Sequence, residues 1–373
     1  MTDELFAVVT GGGTAGHVLP ALAVAESLVD AGHPPETIHY IGAQRGVETR
    51  LVPPTGFPYT FYDVVGFQRS FSRRNLGFVP KMIAATRRAT SGFRDRRPAV
   101  VVSVGGYASM PAVFAARRLG IPVVVVSYDR TPGRASRVAA RTAAACAVAF
   151  DNSPLPGATV TGAPVRRAIL DVDREADRAV ARAALGVADD RFLLAVMGGS
   201  LGSGVLNDSL AGYLRDHRAD AGLAVHQVVG ERFLDRVETV AGDDGAASIQ
   251  HRIVGYEDDM AGVYTAADLL IGRGGASTVH EVAVTGVPAI LVPWAGAAED
   301  HQVDNVEWLS EVGGAVLLTE DQLGRLGDEI ERLRADPGAR AELSARARRR
   351  GERHRSGALP TLIEQVAVTS RPS

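Results

Sequence analysis

Two apolar runs flank the stretch that decides the fold, Arg273-Gly274-Gly275-Ala276-Ser277-Thr278-Val279-His280-Glu281. The runs Leu269–Ile271 and Ala289–Val292 have the composition of buried strands. Between them, small residues favour a tight turn followed by the start of a helix, whose free N–H groups and dipole attract an anion such as a phosphate. Glu281 can then accept hydrogen bonds from the hydroxyls of an attached sugar. The stretch predicts a nucleotide-diphosphate site in the second half of the chain.

The same alternation of strands and helices runs along the whole chain. Short Val, Ile and Leu runs separated by helix-length segments are typical of parallel strands covered on both faces. They form two successive series, at Phe6–Thr10, Ile38–Ile41, Val100–Val104, Val123–Val126 and Ala147–Phe150, and then at Phe192–Met197, Ala224–Val229, Ile253–Gly255, Leu269–Ile271 and Ala289–Val292. Two series predict an α/β protein with two doubly wound, Rossmann-like domains facing a central cleft. The glycine and proline of Gly162–Arg166 indicate the boundary, with domains at residues 1–164 and 165–351.

The composition narrows the class of protein. A chain of 373 residues can form two hydrophobic cores, and its net charge of -3 gives no overall attraction for nucleic acid. Cys146 is the sole cysteine, which excludes a disulfide framework and fits a reducing compartment. No apolar run reaches the roughly 20 residues of a membrane span, and Met1-Thr2-Asp3-Glu4 lacks the basic start of a signal peptide. We expect a protein of the cytosol, or one bound to a membrane from the cytosolic side.

A second glycine turn, Gly11-Gly12-Gly13-Thr14-Ala15-Gly16-His17, follows the first strand. Its backbone can approach a ligand closely, as in dinucleotide-binding folds. A dinucleotide site would need an acidic residue about 20 residues further on, and the chain has Ile41-Gly42-Ala43-Gln44 there. His17 has two interpretations: a histidine that caps the helix, or a general base kept neutral by the helix dipole.

Two further segments of the second half carry polar groups past strand ends. In Met197–Gly204, Ser200 can donate to a phosphate oxygen or act as a helix N-cap. The segment Ala298–Asn305 has the amide and imidazole groups that suit recognition of sugar hydroxyls. Asp300, His301 and Asp304 are a candidate metal set, but no wider set of ligands accompanies them, so we expect no metal site.

The segment between Phe67 and Arg97 is basic and apolar together. Nine cations face a single acid, Asp95, and they alternate with Phe, Leu, Val, Met and Ile residues. Such a surface suits contact with anionic lipid. Nucleic acid is a competing interpretation, although no binding motif supports it, and an ordinary solvated helix is a third. The candidate membrane contacts are Arg69, Phe71, Arg73, Arg74, Phe78, Lys81 and Met82.

Taken together, the motifs resemble the MurG family within glycosyltransferase family 28. The resemblance covers nearly the whole chain in order, with Gly12–Val18, Gly105–Pro111, Gly162–Arg166, Gly198–Ser200, Asp258–Ala261, Arg273–Glu281 and Asp300–Asn305. It implies a GT-B fold, with the acceptor held by the N-terminal domain and the nucleotide donor by the C-terminal one. It also implies a C-terminal helix, at about 352–370, that packs back on the N-terminal domain.

The resemblance implies an inverting transfer of N-acetylglucosamine from UDP-N-acetylglucosamine to a polyprenyl-diphosphate-linked muramoyl-peptide, without a tightly bound cofactor or a required metal. His17 is then the base that deprotonates the muramoyl 4-hydroxyl. By matched position, the acceptor contacts are Thr14, Ala15, Gly16, His17, Tyr107 and Asp129. The donor contacts are Thr14, Gly16, Arg166, Ser200, Gly275, Ala276, Thr278, Glu281, His301 and Gln302.

Three positions depart from the family pattern. Val126-Ser127-Tyr128-Asp129 stands where the family commonly has His-Glu-Gln-Asn, Leu201 stands for a glutamine, and Ala163 for an asparagine. Two alternatives follow: a related transferase with another lipid or a secondary-metabolite acceptor, and a UDP-N-acetylglucosamine 2-epimerase. The lipid-facing segment argues against a soluble epimerase, and the presence of both His17 and Glu281 argues against a non-catalytic binding module.

Overall fold

The computed structural model describes residues 5–66, 77–199, 201–240, 248–296 and 301–369. The chain forms two compact units, which we call unit 1 (Met1–Arg167 and Arg353–Ser373) and unit 2 (Ala168–Glu352). Each contains a parallel sheet with helices, so the prediction of two doubly wound α/β domains is confirmed. Unit 1 extends to Arg167, past the predicted boundary at 164, because Arg167 bonds to Glu26 and Asp30 of the first helix.

Unit 1 is built on a seven-stranded sheet in the order β3-β2-β1-β4-β5-β6-β7, and every neighbouring pair is parallel. Its strands are β1 Leu5–Thr10, β2 Ile38–Ala43, β3 Tyr59–Tyr62, β4 Pro98–Ser103, β5 Val123–Ser127, β6 Ala145–Val148 and β7 Ala158–Val160. Its first helices are α1 Ala15–Asp30, α2 Glu48–Leu51, α3 Phe78–Asp95, α4 Met110–Leu119 and α5 Arg134–Ala140. The order reverses between β1 and β4, which is where such sheets open a crevice at the carboxyl ends of their strands.

Unit 2 repeats this plan with a six-stranded parallel sheet in the order β10-β9-β8-β11-β12-β13. Its strands are β8 Phe192–Met197, β9 Leu223–Val228, β10 Gln250–Val254, β11 Leu269–Arg273, β12 Ala289–Val292 and β13 Val316–Leu317. Its helices are α6 Arg167–Leu170, which begins at the boundary, α7 Arg178–Leu185, α8 Gly204–Asp216, α9 Met260–Ala266, α10 Ala276–Thr285, α11 His301–Ser310, α12 Leu326–Ala335 and α13 Pro337–Gly351. The reversal lies between β8 and β11.

The last helix, α14 (Ala358–Thr369), belongs to unit 1. It packs on α1, β4 and β6, and buries Leu359, Ile363, Val366 and Ala367. Glu364 adds a contact of 2.9 Å to Nε2 of His33, just past the end of α1. The C-terminal segment therefore completes the core of unit 1.

Continuous aliphatic strands form both cores because each sheet is covered on both faces. Every residue of β5, β9, β11 and β12 is buried. The reversal points of the two sheets are thereby fixed on rigid elements, and the glycine turns that the sequence singles out follow β1, β8 and β11.

Candidate active site

The glycine turn after β1 lies at the reversal point of unit 1. The turn after β4 runs beside it, because Val104 N–H donates to the Thr10 carbonyl at 2.8 Å. A methyl group on Gly106, whose φ is +76°, would lie 2.2 Å from the carbonyl oxygen of Gly12. Only glycine fits there, which explains the Gly-Gly pair at 105–106.

His17 lies in the first turn of α1, three residues after the N-cap Thr14. No side chain caps this helix, and the Thr14 hydroxyl instead lies 3.2 Å from Nδ1 of His17. The opposite edge of the ring faces the β4 turn, since a methyl group on Gly105 would lie 3.5 Å from Nε2. The N-cap residue is therefore Thr14, and His17 does not cap the helix as one interpretation of the sequence allowed.

The electrostatic surroundings of His17 pull its pKa in two directions. Burial dominates and lowers the pKa below its usual value of 6.5, while Asp129 and then Glu48 oppose that shift through their negative charges. A lowered pKa keeps the imidazole neutral near pH 7 and able to accept a proton.

The other predicted acceptor residues surround the same turn. Thr14 and Gly16 are exposed, whereas Ala15 is buried. The ring of Tyr107 covers the turn closely enough that a methyl group on Gly13 would lie 2.6 Å from its Cε1. Asp129 follows β5 and acts on His17 electrostatically. These residues therefore lie around one turn, and their contact with an acceptor stays a prediction.

Two side chains that the sequence analysis did not single out support this turn. The Tyr128 hydroxyl, buried beside Asp129, donates to the carbonyl of Gly16. Glu48 is fully buried at the start of α2, and its Oε1 accepts the N–H of Gly13 at 2.7 Å and that of Ala43 at 3.3 Å. The position of Glu48, a few residues past the end of β2, could have indicated this contact from the sequence. The carboxyl ends of these strands converge on the crevice.

In unit 2, the helix α10 begins at the reversal point, directly after β11. Its N-cap is Gly275, which offers no side-chain cap, so its first N–H groups point out of the helix unbonded by a capping side chain. Ala276 and Thr278 are buried. The Thr278 methyl group packs toward β11, as a methyl group on Gly272 would lie 3.4 Å from its Cγ2. At this helix start the backbone N–H groups, more than the buried Thr278 side chain, are the donors available to an anion.

Glu281 lies on α10 and is half-buried. The Tyr264 hydroxyl, on the fully buried Tyr264 of α9, donates to its Oε2 at 2.7 Å. This hydrogen bond restricts the rotamers of the Glu281 side chain on α10. Sequence analysis missed Tyr264 because nothing in its spacing from Glu281 marks a contact between two helices.

The turn after β8 is joined to β11 through Arg273. The Arg273 guanidinium donates to Ser203 Oγ at 2.6 Å and forms an ion pair with Glu320 at 2.7 Å. Ser203 is also the N-cap of α8, and its Oγ accepts from Leu206 N–H. The serine cap that sequence allowed for Ser200 is therefore supplied by Ser203, and Ser200 itself lies outside the described residues.

The predicted sugar-recognition segment begins α11. Gln302 Oε1 accepts the backbone N–H of Trp294 at 2.9 Å, which directs the amide so that Nε2 remains a donor. The indole of Trp294 is 52% exposed just past β12. Residues 297–300 and the His301 side chain lie outside the described part of the chain. Arg166 belongs to unit 1 and is half-buried directly before α6.

The basic and apolar segment is described from residue 77 onward, so Arg69, Phe71, Arg73 and Arg74 fall outside the described residues. Phe78 is half-buried, and Lys81 pairs with Asp63 at 2.9 Å. Met82 is a wrong prediction as a surface contact, because it lies on the inward stripe of α3 with Ala85, Ala89 and Phe93. The outward apolar side chains are Val79, 58% exposed, and Ile83, 48% exposed.

The described residues contain neither a cluster of metal-ligand side chains nor a helix that could span a membrane. Across the ranges given above, no three His, Cys, Asp or Glu side chains gather as metal ligands would, although Asp300 and the His301 side chain fall outside that comparison. Within those same ranges, no helix combines the length and the apolar character of a membrane span.

Two parallel α/β units, each with a glycine turn and helix start at its reversal point, define a glycosyltransferase of the GT-B class. Residues 7–148 match the glycosyltransferase family 28 N-terminal domain, and residues 193–358 match the C-terminal domain of the same family. The chain belongs to glycosyltransferase family 28.

Curated relatives and a solved structure give the same picture. The chain is 36% identical to the UDP-N-acetylglucosamine--N-acetylmuramyl-(pentapeptide) pyrophosphoryl-undecaprenol N-acetylglucosamine transferase of Clavibacter sepedonicus, over 98% of this chain and 97% of that protein. It is 37% identical to the same enzyme of Paenarthrobacter aurescens, over 97% and 96%. The crystal structure of MurG from Acinetobacter baumannii superposes with a TM-score of 0.70 at 25% identity, covering 97% of this chain and 99% of that one.

Proposed function

We propose that the chain transfers N-acetylglucosamine from UDP-N-acetylglucosamine to the muramoyl 4-hydroxyl of undecaprenyl-diphospho-muramoyl-pentapeptide, converting lipid I to lipid II in peptidoglycan synthesis. The observation that carries the proposal is the identity of 36–37% to enzymes named for this reaction, over nearly the full length of both proteins. Family membership makes the chain a hexosyltransferase, which sets the 2-epimerase alternative aside.

The chemistry starts at His17. We assign the Nδ1 proton to the contact with Thr14 Oγ1, which leaves Nε2 as the proton acceptor. Nε2 takes the proton of the muramoyl 4-hydroxyl while that oxygen attacks the anomeric carbon. The bond from the anomeric carbon to the UDP oxygen breaks, and its electron pair leaves with UDP. Attack on the face opposite the leaving group inverts the configuration.

The donor side is assigned to unit 2. Glu281 binds the ribose, with its carboxylate held by Tyr264. The uncapped start of α10, with Gly275 and Ala276, receives the diphosphate, joined by Ser200 and Thr278. His301 and Gln302 recognise the sugar hydroxyls. The helix dipole stabilises the departing UDP, so transfer needs no tightly held metal.

The acceptor carries a polyprenyl chain, so the enzyme works at a membrane surface. Val79 and Ile83 of α3 supply exposed apolar groups, and Arg87 and Arg88 on the same helix are exposed cations. This combination suits a peripheral contact with anionic lipid on the cytoplasmic side.

A direct test uses purified protein, radiolabelled UDP-N-acetylglucosamine and a short-chain lipid I analogue, with a diacylglycerol acceptor assayed in parallel. We expect labelled lipid II from the first acceptor alone, unchanged by EDTA. Transfer of label only to the diacylglycerol acceptor would show that the proposed acceptor is wrong and the proposed donor is right. Binding of UDP-sugar without any transfer would reject the proposal.

A further inference from the structure

Glu48 is a fully buried acid beside a turn that the proposed function assigns to a diphosphate. Its side chain has no exposed surface, and glycines enclose its carboxylate. A methyl group on Gly12 would lie 2.1 Å from Oε1, and one on Gly46 would lie 1.8 Å from Oε2. The pocket is therefore shaped around this carboxylate, and any side chain at either glycine would displace it.

The two carboxylate oxygens are used unequally. Oε1 accepts both backbone N–H groups, from Gly13 and Ala43. Oε2 is buried and has no hydrogen-bond partner among the described residues. A buried acceptor without a partner costs free energy, so a purely structural role would be served better by a neutral side chain that satisfies both sites.

The charge of Glu48 is also wrong for binding an anion. Its Oε1 occupies the N–H of Gly13, one of the donors that the glycine turn could offer to a phosphate. Its negative charge repels a diphosphate and attracts a positive charge instead. The one group in this turn that becomes positive during the proposed transfer is His17.

We infer that Glu48 is a positioning residue for His17: its buried carboxylate holds the glycine turn through Gly13 N–H and stabilises the imidazolium that forms when His17 accepts the acceptor proton. This inference rests on the proposed function. The negative charge reaches three titrating groups around the turn, since it raises the pKa of His17 against the larger opposite effect of burial, and adds to burial in raising the pKa of Tyr40 and Tyr107.

The charged groups that act on His17 come from two further elements. Asp129, which follows β5, has the larger raising effect on its pKa, and Glu48 of α2 has the smaller. Thr14 on its own helix contributes a neutral hydroxyl to Nδ1. Removal of the Glu48 charge should therefore lower the pKa of His17 without eliminating its function, because the charge of Asp129 remains.

The test compares Glu48→Gln, which keeps the shape and removes the charge, with Glu48→Asp, which withdraws the charge by one methylene. The exposed Glu36, at the turn before β2, gives the control Glu36→Gln. For each variant, kcat and the acceptor KM are measured from pH 5 to 9. In Glu48→Gln we expect kcat to fall about tenfold and the acidic limb of the profile to move to lower pH by about one unit, with an acceptor KM no higher than that of the unchanged protein.

For Glu48→Asp, we expect both kcat and the pH of the acidic limb to lie between those of the unchanged protein and of Glu48→Gln. If Glu48→Gln does not fold, the kcat and the acidic limb of Glu48→Asp alone test the inference. An acidic limb that stays in place, or a loss confined to a raised acceptor KM, would overturn the inference and leave Glu48 a structural residue. Absence of transfer by the unchanged protein would instead count against the proposed function.

Discussion

At the scale of single residues, the proposed donor site depends on a side chain that is assigned no contact with the donor itself. Tyr264 is fully buried on α9, and its hydroxyl donates to one carboxylate oxygen of Glu281, which limits the rotamers of that side chain. A carboxylate on a helix surface would otherwise sample several rotamers, and each would cost binding free energy to select. The hydrogen bond from Tyr264 therefore orients the Glu281 carboxylate.

This arrangement predicts the effect of Tyr264→Phe. The change removes one hydrogen bond to a charged group, so we expect the donor KM to rise about tenfold with kcat nearly unchanged. Steady-state kinetics with varied UDP-N-acetylglucosamine measures this. Tyr213→Phe is the matched control, because its hydroxyl bonds to Glu331 on α12 at 2.6 Å and contacts none of the assigned donor residues. A tenfold loss in kcat at constant donor KM would contradict the assignment.

At the residue scale, the sequence indicates which residues lie close together where a motif falls within one turn. Thr14, Gly16 and His17 lie in one short segment, and Gly275 and Ala276 are adjacent, so a strand followed by a helix start brings each group together. The side chains that hold these groups in place come from distant positions in the sequence. Glu48 reaches Gly13 across 35 residues, and Arg273 reaches Ser203 across 70. Such pairs depend on how elements pack, which periodicity alone does not define.

At the scale of elements, the buried strands were predictable, whereas among the edge strands only the end of β10 was, through the run at Ile253–Gly255. The runs at Phe192–Met197 and Ala289–Val292 coincide with β8 and β12 because burial on both faces requires continuous aliphatic residues. The edge strands β3 and β7 lack that requirement: Tyr59 is 45% exposed, and all three residues of β7 are exposed. β13 has two residues, which is too short to give any pattern.

The outward face of α3 makes a prediction about membrane contact. Replacing Val79 and Ile83 together by glutamate puts negative charge on the exposed apolar face and leaves the buried stripe with Met82 intact. We expect sedimentation with anionic vesicles to fall at least about tenfold, while turnover of a detergent-dispersed acceptor analogue changes little. Val180→Glu on α7, where Val180 is 74% exposed, is the control. Equal sedimentation of all three proteins would exclude α3 from the contact.

At the scale of the whole molecule, half-buried histidines in both units make the free energy of unfolding depend on pH in the acidic range. Burial lowers the pKa of His39 and of His251 to about 4, from the usual 6.5, and Arg96 adds to the effect at His39. Below pH 6.5 the unfolded chain takes up these protons before the folded one does. The stabilisation is therefore complete above pH 6.5 and is lost as the pH falls toward 4.

Denaturant unfolding between pH 7.5 and 4.5 tests this linkage. Each histidine should contribute a slope of up to about 1.4 kcal/mol per pH unit below pH 6.5. In His251→Gln, the dependence of the free energy of unfolding on pH should lose the contribution of His251 in unit 2. In His39→Gln, it should lose the contribution of His39 in unit 1. His33→Gln, at the contact with Glu364, is the comparison. A free energy of unfolding that is flat from pH 6.5 to 4.5 would contradict these pKa values.

In the proposed function, unit 2 holds the UDP-sugar, and His17 of unit 1 activates the acceptor. One measurement on His17→Ala tests it, with donor affinity and lipid II formation determined on the same preparation. The account predicts an unchanged Kd for UDP-N-acetylglucosamine and a rate of transfer lowered by a factor on the order of 100 to 10,000. Turnover equal to that of the unchanged protein would contradict the role of His17 as the base.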